Sequence, residues 1–147
     1  MGDSLGDPLR RYHATGRARP ARTARILYLG LLAGPLLFAG VALALLPPQT
    51  PLDQPILLYT PFALAAVLFA GGLIIRTRIP QRTTAQSEEE WWRVNLPRAL
   101  MVWSLFEGPA LFGVAMYLTL GTAVPLLVTG VGLAMLLLNS PNRLIEG

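Results

Sequence analysis

The sequence predicts an all-α membrane protein of four transmembrane helices arranged as two hairpins. Two observations carry that prediction. First, 53% of the 147 residues are hydrophobic and only 14% are charged. Most of that apolar content lies in four runs: Ile26–Leu46, Ile56–Ile75, Ala99–Leu118 and roughly Ala123–Leu138. About 20 apolar residues, each rising about 1.5 Å, span a bilayer. The first three runs meet that length; the fourth is short and borrows Gly121 and Thr122. Backbone polar groups in lipid must be satisfied within their own segment, so such runs are helical.

Second, the twelve cationic side chains are all arginines, and they are unevenly placed. Arg10, Arg11, Arg17, Arg19, Arg22 and Arg25 precede the first run. Arg76, Arg78, Arg82, Arg93 and Arg98 bracket the second connection, and Arg143 follows the fourth run. The first and third connections carry none. Under the positive-inside rule, both termini and the middle loop lie in the cytoplasm, which requires an even number of spans. The expected location is the bacterial inner membrane. A basic balance of +4 would suggest nucleic acid in a soluble chain. Here topology and anionic headgroups account for the arginines, so no nucleic-acid partner is expected. The chain has no cysteine, which removes disulfides, thiolate catalysis and cysteine-bound metals.

Residues 1–25 lack apolar periodicity and read as a mostly extended, arginine-rich cytoplasmic tail. The following apolar run is too long for a cleavable signal segment, so it is expected to be retained. His13, the only histidine, lies in this tail and is given no role. The first hairpin covers 26–75. Its first helix carries Gly30 and Gly34, a spacing that permits close helix approach, and then Pro35. The connection Pro47–Pro55 holds four prolines and is stiff. In the second helix, Ala63, Ala66 and Ala70 at helical spacing, followed by Gly71-Gly72, suggest a packing face. Tyr28 and Tyr59 sit near helix ends, where aromatic belts form.

The cytoplasmic loop, 76–97, contains Ser87-Glu-Glu-Glu90, the signature of a capping box. It predicts a short interfacial helix from about 88 to 94 that presents Trp91 and Trp92 to the headgroup layer. The alternative is that the two indoles pack on a pigment, a lipid or a neighbouring subunit. Pro97 is expected to begin a new helix. The second hairpin then covers 98–147.

Glu107 is the one charged side chain inside an apolar run, and an ionisable group at membrane depth marks a functional site by default. It lies nine residues past Arg98, about 13–14 Å along the helix axis, so the two cannot pair. Ser104, Ala110 and Val114 share its helical face and suggest contact with another helix. Pro109 frees the carbonyl of Leu105 beside it. Three roles are open: a structural polar group, a site that binds and releases a proton or sodium ion, or a contact to a cofactor such as a chlorin or quinone held by a neighbouring subunit. No second intramembrane acid, base or histidine is present. A complete proton path or haem site would need another subunit.

The first and third runs also look alike. Ala33-Gly-Pro-Leu-Leu-Phe38 aligns with Glu107-Gly-Pro-Ala-Leu-Phe112, and each run follows an arginine, Arg25 or Arg98. This points to an internal duplication of hairpins, as in parallel-repeat membrane proteins. Glu107 then takes the place of Ala33.

Two family resemblances rest on these residues. The Glu107 helix, with Phe112 and Gly113 after the carboxylate, resembles the outer helix of the rotary ATP synthase proteolipid, subunit c. That resemblance implies ion binding at Glu107. Residues 98–145, with Glu107-Gly-Pro-Ala-Leu-Phe112, the turn at Leu120-Gly-Thr122 and the segment Asn139-Ser-Pro-Asn-Arg143, resemble a group of small uncharacterised bacterial four-helix membrane proteins. That resemblance implies architecture more than activity.

The reading is a non-catalytic integral membrane protein, an accessory or structural subunit of a larger energy-transducing complex. Its partners are the lipid bilayer and other integral membrane subunits. Gly30, Gly34, Gly108, Pro109 and Ala110 are the packing candidates, Glu107 and Ser104 the ion- or cofactor-contact candidates, and Trp91 and Trp92 the interface anchors. No catalytic or metal-ligand set is present, and no cofactor is expected to be held by this chain alone. An ion-translocating proteolipid-like subunit using Glu107 is the alternative.

Overall fold

The computed structural model describes residues 19–45 and 55–146. The tail up to residue 18, with His13, and most of the proline-rich connection lie outside the described residues. Among these, 85% are helical and none is in a strand. The helices are α1 (Pro20–Leu45), α2 (Pro55–Thr77), α3 (Glu88–Leu120), α4 (Leu126–Leu138) and the short α5 (Pro141–Glu146). The first three are long and apolar enough to cross a membrane. The fourth apolar run becomes a helix of only 13 residues, about 20 Å long and shorter than a hydrocarbon core.

The centre of the bundle is α3. Each of α1, α2 and α4 packs mainly along it, and they meet one another only marginally. Side-chain register gives the directions. Ala21, Tyr28, Gly34 and Ala42 of α1 meet successively later residues of α3, so the two helices run parallel. Phe69 and Gly72 of α2 face Phe106, while Pro80 beyond its end reaches back to Trp91, so α2 is antiparallel. Helix α4 is antiparallel too: its Thr129 and Gly132 lie against Gly113 and Ala110, and Asn139 against Trp103.

Three expectations are corrected here. Helix α1 begins at Pro20, so Arg22 and Arg25 belong to the helix and not to an extended tail. Its first turn is satisfied from outside: the Ala21 N–H donates to Glu89 Oε2 at 3.2 Å, and Arg25 pairs with Glu88 at 3.1 Å. A carboxylate at a helix N-terminus takes up its free N–H groups and complements the helix dipole.

The short helix at 88–94 and a restart at Pro97 are replaced by one 33-residue helix. The capping box at its start is present as the sequence predicts, with Ser87 and Glu90 bonding each other reciprocally. Pro97 sits inside and removes only its own N–H bond to the carbonyl of Arg93. Burial of Trp91, Trp92, Asn95 and Ala99 on both sides of it holds the helix continuous.

On α2, Ala63, Ala66 and Ala70 face outward. The packing face consists of Pro61, Ala65 and Gly72, with Phe69 half-buried beside them.

Small residues set the α3–α4 distance. A Cβ on Gly113 would lie 2.5 Å from Thr129 Oγ1 and 2.7 Å from the Pro125 carbonyl. One on Gly132 would lie 2.8 Å from both Ala110 Cβ and the Phe106 carbonyl. At this approach the Thr129 hydroxyl donates to the Ala110 carbonyl at 2.9 Å. In lipid, such dispersion contacts and interhelical hydrogen bonds replace the hydrophobic effect as the packing force.

The carboxyl end of α4 is closed by side chains. Asn139 Nδ2 donates to the Met135 carbonyl at 2.8 Å, and the Tyr28 hydroxyl of α1 donates to Leu136 at 3.2 Å. The Trp103 indole of α3 donates to the Asn139 carbonyl at 2.7 Å, and Arg76 Nε of α2 donates to Asn139 Oδ1 at 2.8 Å. The three long helices and α4 all meet in this network.

Two predictions follow from the packing. Gly132→Ala and Gly113→Ala should each cost about 1–3 kcal/mol, since backbone must move, while Gly130→Ala, in open space, should be neutral or slightly stabilising. Trp103→Phe, which orphans the Asn139 carbonyl, should cost about 1–3 kcal/mol, and Tyr28→Phe about 1 kcal/mol. Tyr59→Phe, on an exposed site, should cost nothing measurable. Thermal unfolding in detergent, followed by tryptophan emission, reads all six.

Candidate functional site

Glu107 sits at the seam between α1 and α3. Its Oε1 lies 3.3 Å from where a Cβ on Gly34 would be, so the missing side chain of Gly34 is the room the carboxyl occupies. The side chain is half-buried and makes no hydrogen bond among the described residues. On the facing helix, Pro35 is buried and frees the carbonyl of Leu31. Pro109, also buried, does the same for Leu105. Two proline-loosened turns and one carboxyl therefore share a level in the bundle.

The predicted site residues separate into two groups. Gly34, Pro109 and Ala110 pack inside the bundle, with Ala110 against α4. Gly30, Ser104 and Gly108 face outward, and a Cβ on either glycine meets nothing within 4 Å. Ser104 is thus not part of a helix contact within this chain, although Ala110 and Val114 on the expected face are buried. Ser104 and Gly108 lie one turn before and one residue after Glu107, and Gly30 lies one turn before Gly34, so these exposed positions beside the carboxyl carry only small side chains.

Trp91 and Trp92 are turned inward, both at 0% exposure, and do not present their rings to headgroups. They form an aromatic row with Trp103 and Tyr28, at centroid separations of 4.8, 6.0 and 5.2 Å. Ala21, Ala24, Ile79 and Leu144 close around the row. The physical reason is the length of α3: its first turns extend past the apolar run and carry the indoles in among residues of α1, α5 and the segment after α2. Trp91 Nε1 donates to the Pro80 carbonyl at 2.9 Å, whereas Trp92 Nε1 is buried without a partner among the described residues. Tyr28, placed in an aromatic belt by the sequence reading, is a core residue of this row; Tyr59 is exposed.

Sequence reasoning missed the Tyr28–Arg76–Trp103–Asn139 network. Its one local signal was Asn139 followed by Pro141, a helix stop. The partners come from three other helices and have no spacing rule. Among the described residues there is no group of three or more potential metal ligands. No protein-family model, curated protein or solved structure matches this chain, so any functional reading rests on its residues and their geometry.

Proposed function

We propose that this protein is a non-catalytic integral membrane subunit that packs, through the outer face of α1 and α3, against other membrane helices of a larger energy-transducing assembly. The observation that carries the reading is Glu107: a carboxyl in an apolar helix, without a hydrogen-bond partner among the described residues, beside outward-facing Gly30, Ser104 and Gly108. A polar group at that depth is costly unless satisfied. Small residues around it let a neighbouring helix approach closely enough to supply the partner. Large apolar side chains such as Leu29, Leu37 and Val67 cover the remaining outer surface and suit lipid.

In this reading α4 completes a fourth, thinner span, and α1–α2 and α3–α4 are two hairpins. Their duplication is supported by the matched level of Gly34–Pro35 and Glu107–Gly108–Pro109. The arginines that flank the helices lie toward one end of the bundle, where Arg25 meets Glu88 and Arg76 meets Asn139. The positive-inside rule makes that end cytoplasmic in a bacterial inner membrane.

One observation favours a second reading. The half-buried carboxyl beside Gly34 is reachable from the outer face, as an ion-translocating subunit would require. The two readings differ in how they treat Glu107→Gln. For a packing subunit, Gln preserves a hydrogen-bonding group, so native co-purification of partner subunits at fixed stoichiometry is retained, while Glu107→Leu loses it. For a proteolipid-like subunit, Gln abolishes ion transport with assembly intact. Single cysteines add a direct readout, since the chain has none of its own. Ser104→Cys and Gly108→Cys should cross-link to a partner subunit in native membranes, and Leu73→Cys, on exposed α2, should not. Cross-linking of none, or purification as a colourless homo-oligomeric ring, would reject the packing reading.

A further inference from the structure

Because α2 and α4 are each held on α3 and touch one another little, a cleft runs between them. At its arginine-bearing mouth is a cavity of about 330 Å³ lined by Arg76, Leu138, Arg143 and Glu146. Farther along the same helix pair is an apolar cavity of about 220 Å³, walled by Phe62, Ala66 and Phe69 on one side and Leu127 and Val131 on the other. We infer that this cleft binds one anionic phospholipid, with its phosphate between Arg76 and Arg143 and an acyl chain laid into the apolar cavity.

The mouth has the chemistry for a phosphate. Two guanidinium groups and one carboxylate line it, leaving one positive charge in excess. Among the described residues neither arginine has a carboxylate within ion-pairing distance. Arg76 spends Nε on Asn139 Oδ1, which fixes its stem and leaves its terminal nitrogens for an incoming anion. Arg143 is carried on α5, whose end is fixed by the bond from the Arg82 N–H to the Ile145 carbonyl at 3.3 Å. A planar guanidinium matches phosphate oxygens with two parallel bonds.

The depth also fits. Phe69 lies about 10 Å and Phe62 about 21 Å from Arg76 along α2. One leaflet of hydrocarbon is about 15 Å, half of the full core. An acyl chain descending from a phosphate at Arg76 therefore passes through the apolar cavity. A free phosphate could use the mouth but has no use for the cavity, and this difference separates the two sources of the anion.

The test is native mass spectrometry of the full chain offered phosphatidylglycerol or phosphatidylcholine with identical chains. One tightly retained phosphatidylglycerol per protomer, in preference to phosphatidylcholine, is expected. Arg143→Gln should weaken its retention about fivefold, the worth of one arginine near an anionic headgroup. Arg78→Gln, which does not line the cavity, should leave it unchanged. Ala66→Phe, filling the apolar cavity, should reduce lipid retention without lowering the thermal midpoint. Equal retention of the two lipids, or full retention by Arg143→Gln, overturns the proposal. Displacement of the lipid by millimolar inorganic phosphate, together with no effect of Ala66→Phe, would make the mouth a free-anion site and also overturns it.

Discussion

The fold depends on how the carboxyl end of α4 is satisfied. This helix is shorter than a membrane span, and its last carbonyls sit against buried side chains of the bundle instead of reaching open water. A free carbonyl in an apolar surrounding is expensive. Tyr28 from α1, Arg76 from α2, Trp103 from α3 and the side chain of Asn139 itself all converge on this end. The same bonds that satisfy a short helix also index the three long ones. Removing one donor exposes a carbonyl and loosens a helix at once.

The opposite strategy operates at the α1–α3 seam. There the polar group, Glu107, has Gly34 in front of it and proline-loosened turns on both helices, but no bond within the described chain. Where α4 is closed internally, Glu107 is left open toward the outer face. In the proposed packing reading, that open carboxyl is where a neighbouring helix would supply the missing partner.

The sequence was most informative where one physical rule dominates. Apolar length located α2 and the carboxyl ends of α1 and α3 within two residues but set the starts of α1 and α3 too late; Ser87-Glu-Glu-Glu90 marked the start of α3 through its capping box. It was least informative where packing outweighs local preference. Pro97 looked like a helix start because proline lacks an N–H, yet tertiary contacts of Trp91, Asn95 and Ala99 carry the helix through it. Trp91 and Trp92 looked like interface residues by position, but the length of α3 gives them a core of their own. Ala63, Ala66 and Ala70 had the size of a packing face, whereas α2 turns Ala65 inward; of the expected residues, Gly72 is the one that packs, against Phe106. For the site, Glu107 and its proximity to a glycine-proline turn were legible. The outward direction of Ser104 and Gly108 was not, because helical spacing says which residues share a face but not which face is covered.

The central claim is that Glu107 lies at mid-membrane depth on an open face of a continuous α3. Spin labels on single cysteines at Val94, Met101, Ser104, Gly108 and Thr119, in the full chain reconstituted in bilayers, measure this directly through oxygen and aqueous nickel-chelate accessibility. The account predicts oxygen accessibility that peaks at 104–108 and nickel accessibility confined to positions near 94 and 119. Nickel access at 104 and 108 equal to that at 94 would place the carboxyl in water and contradict the account.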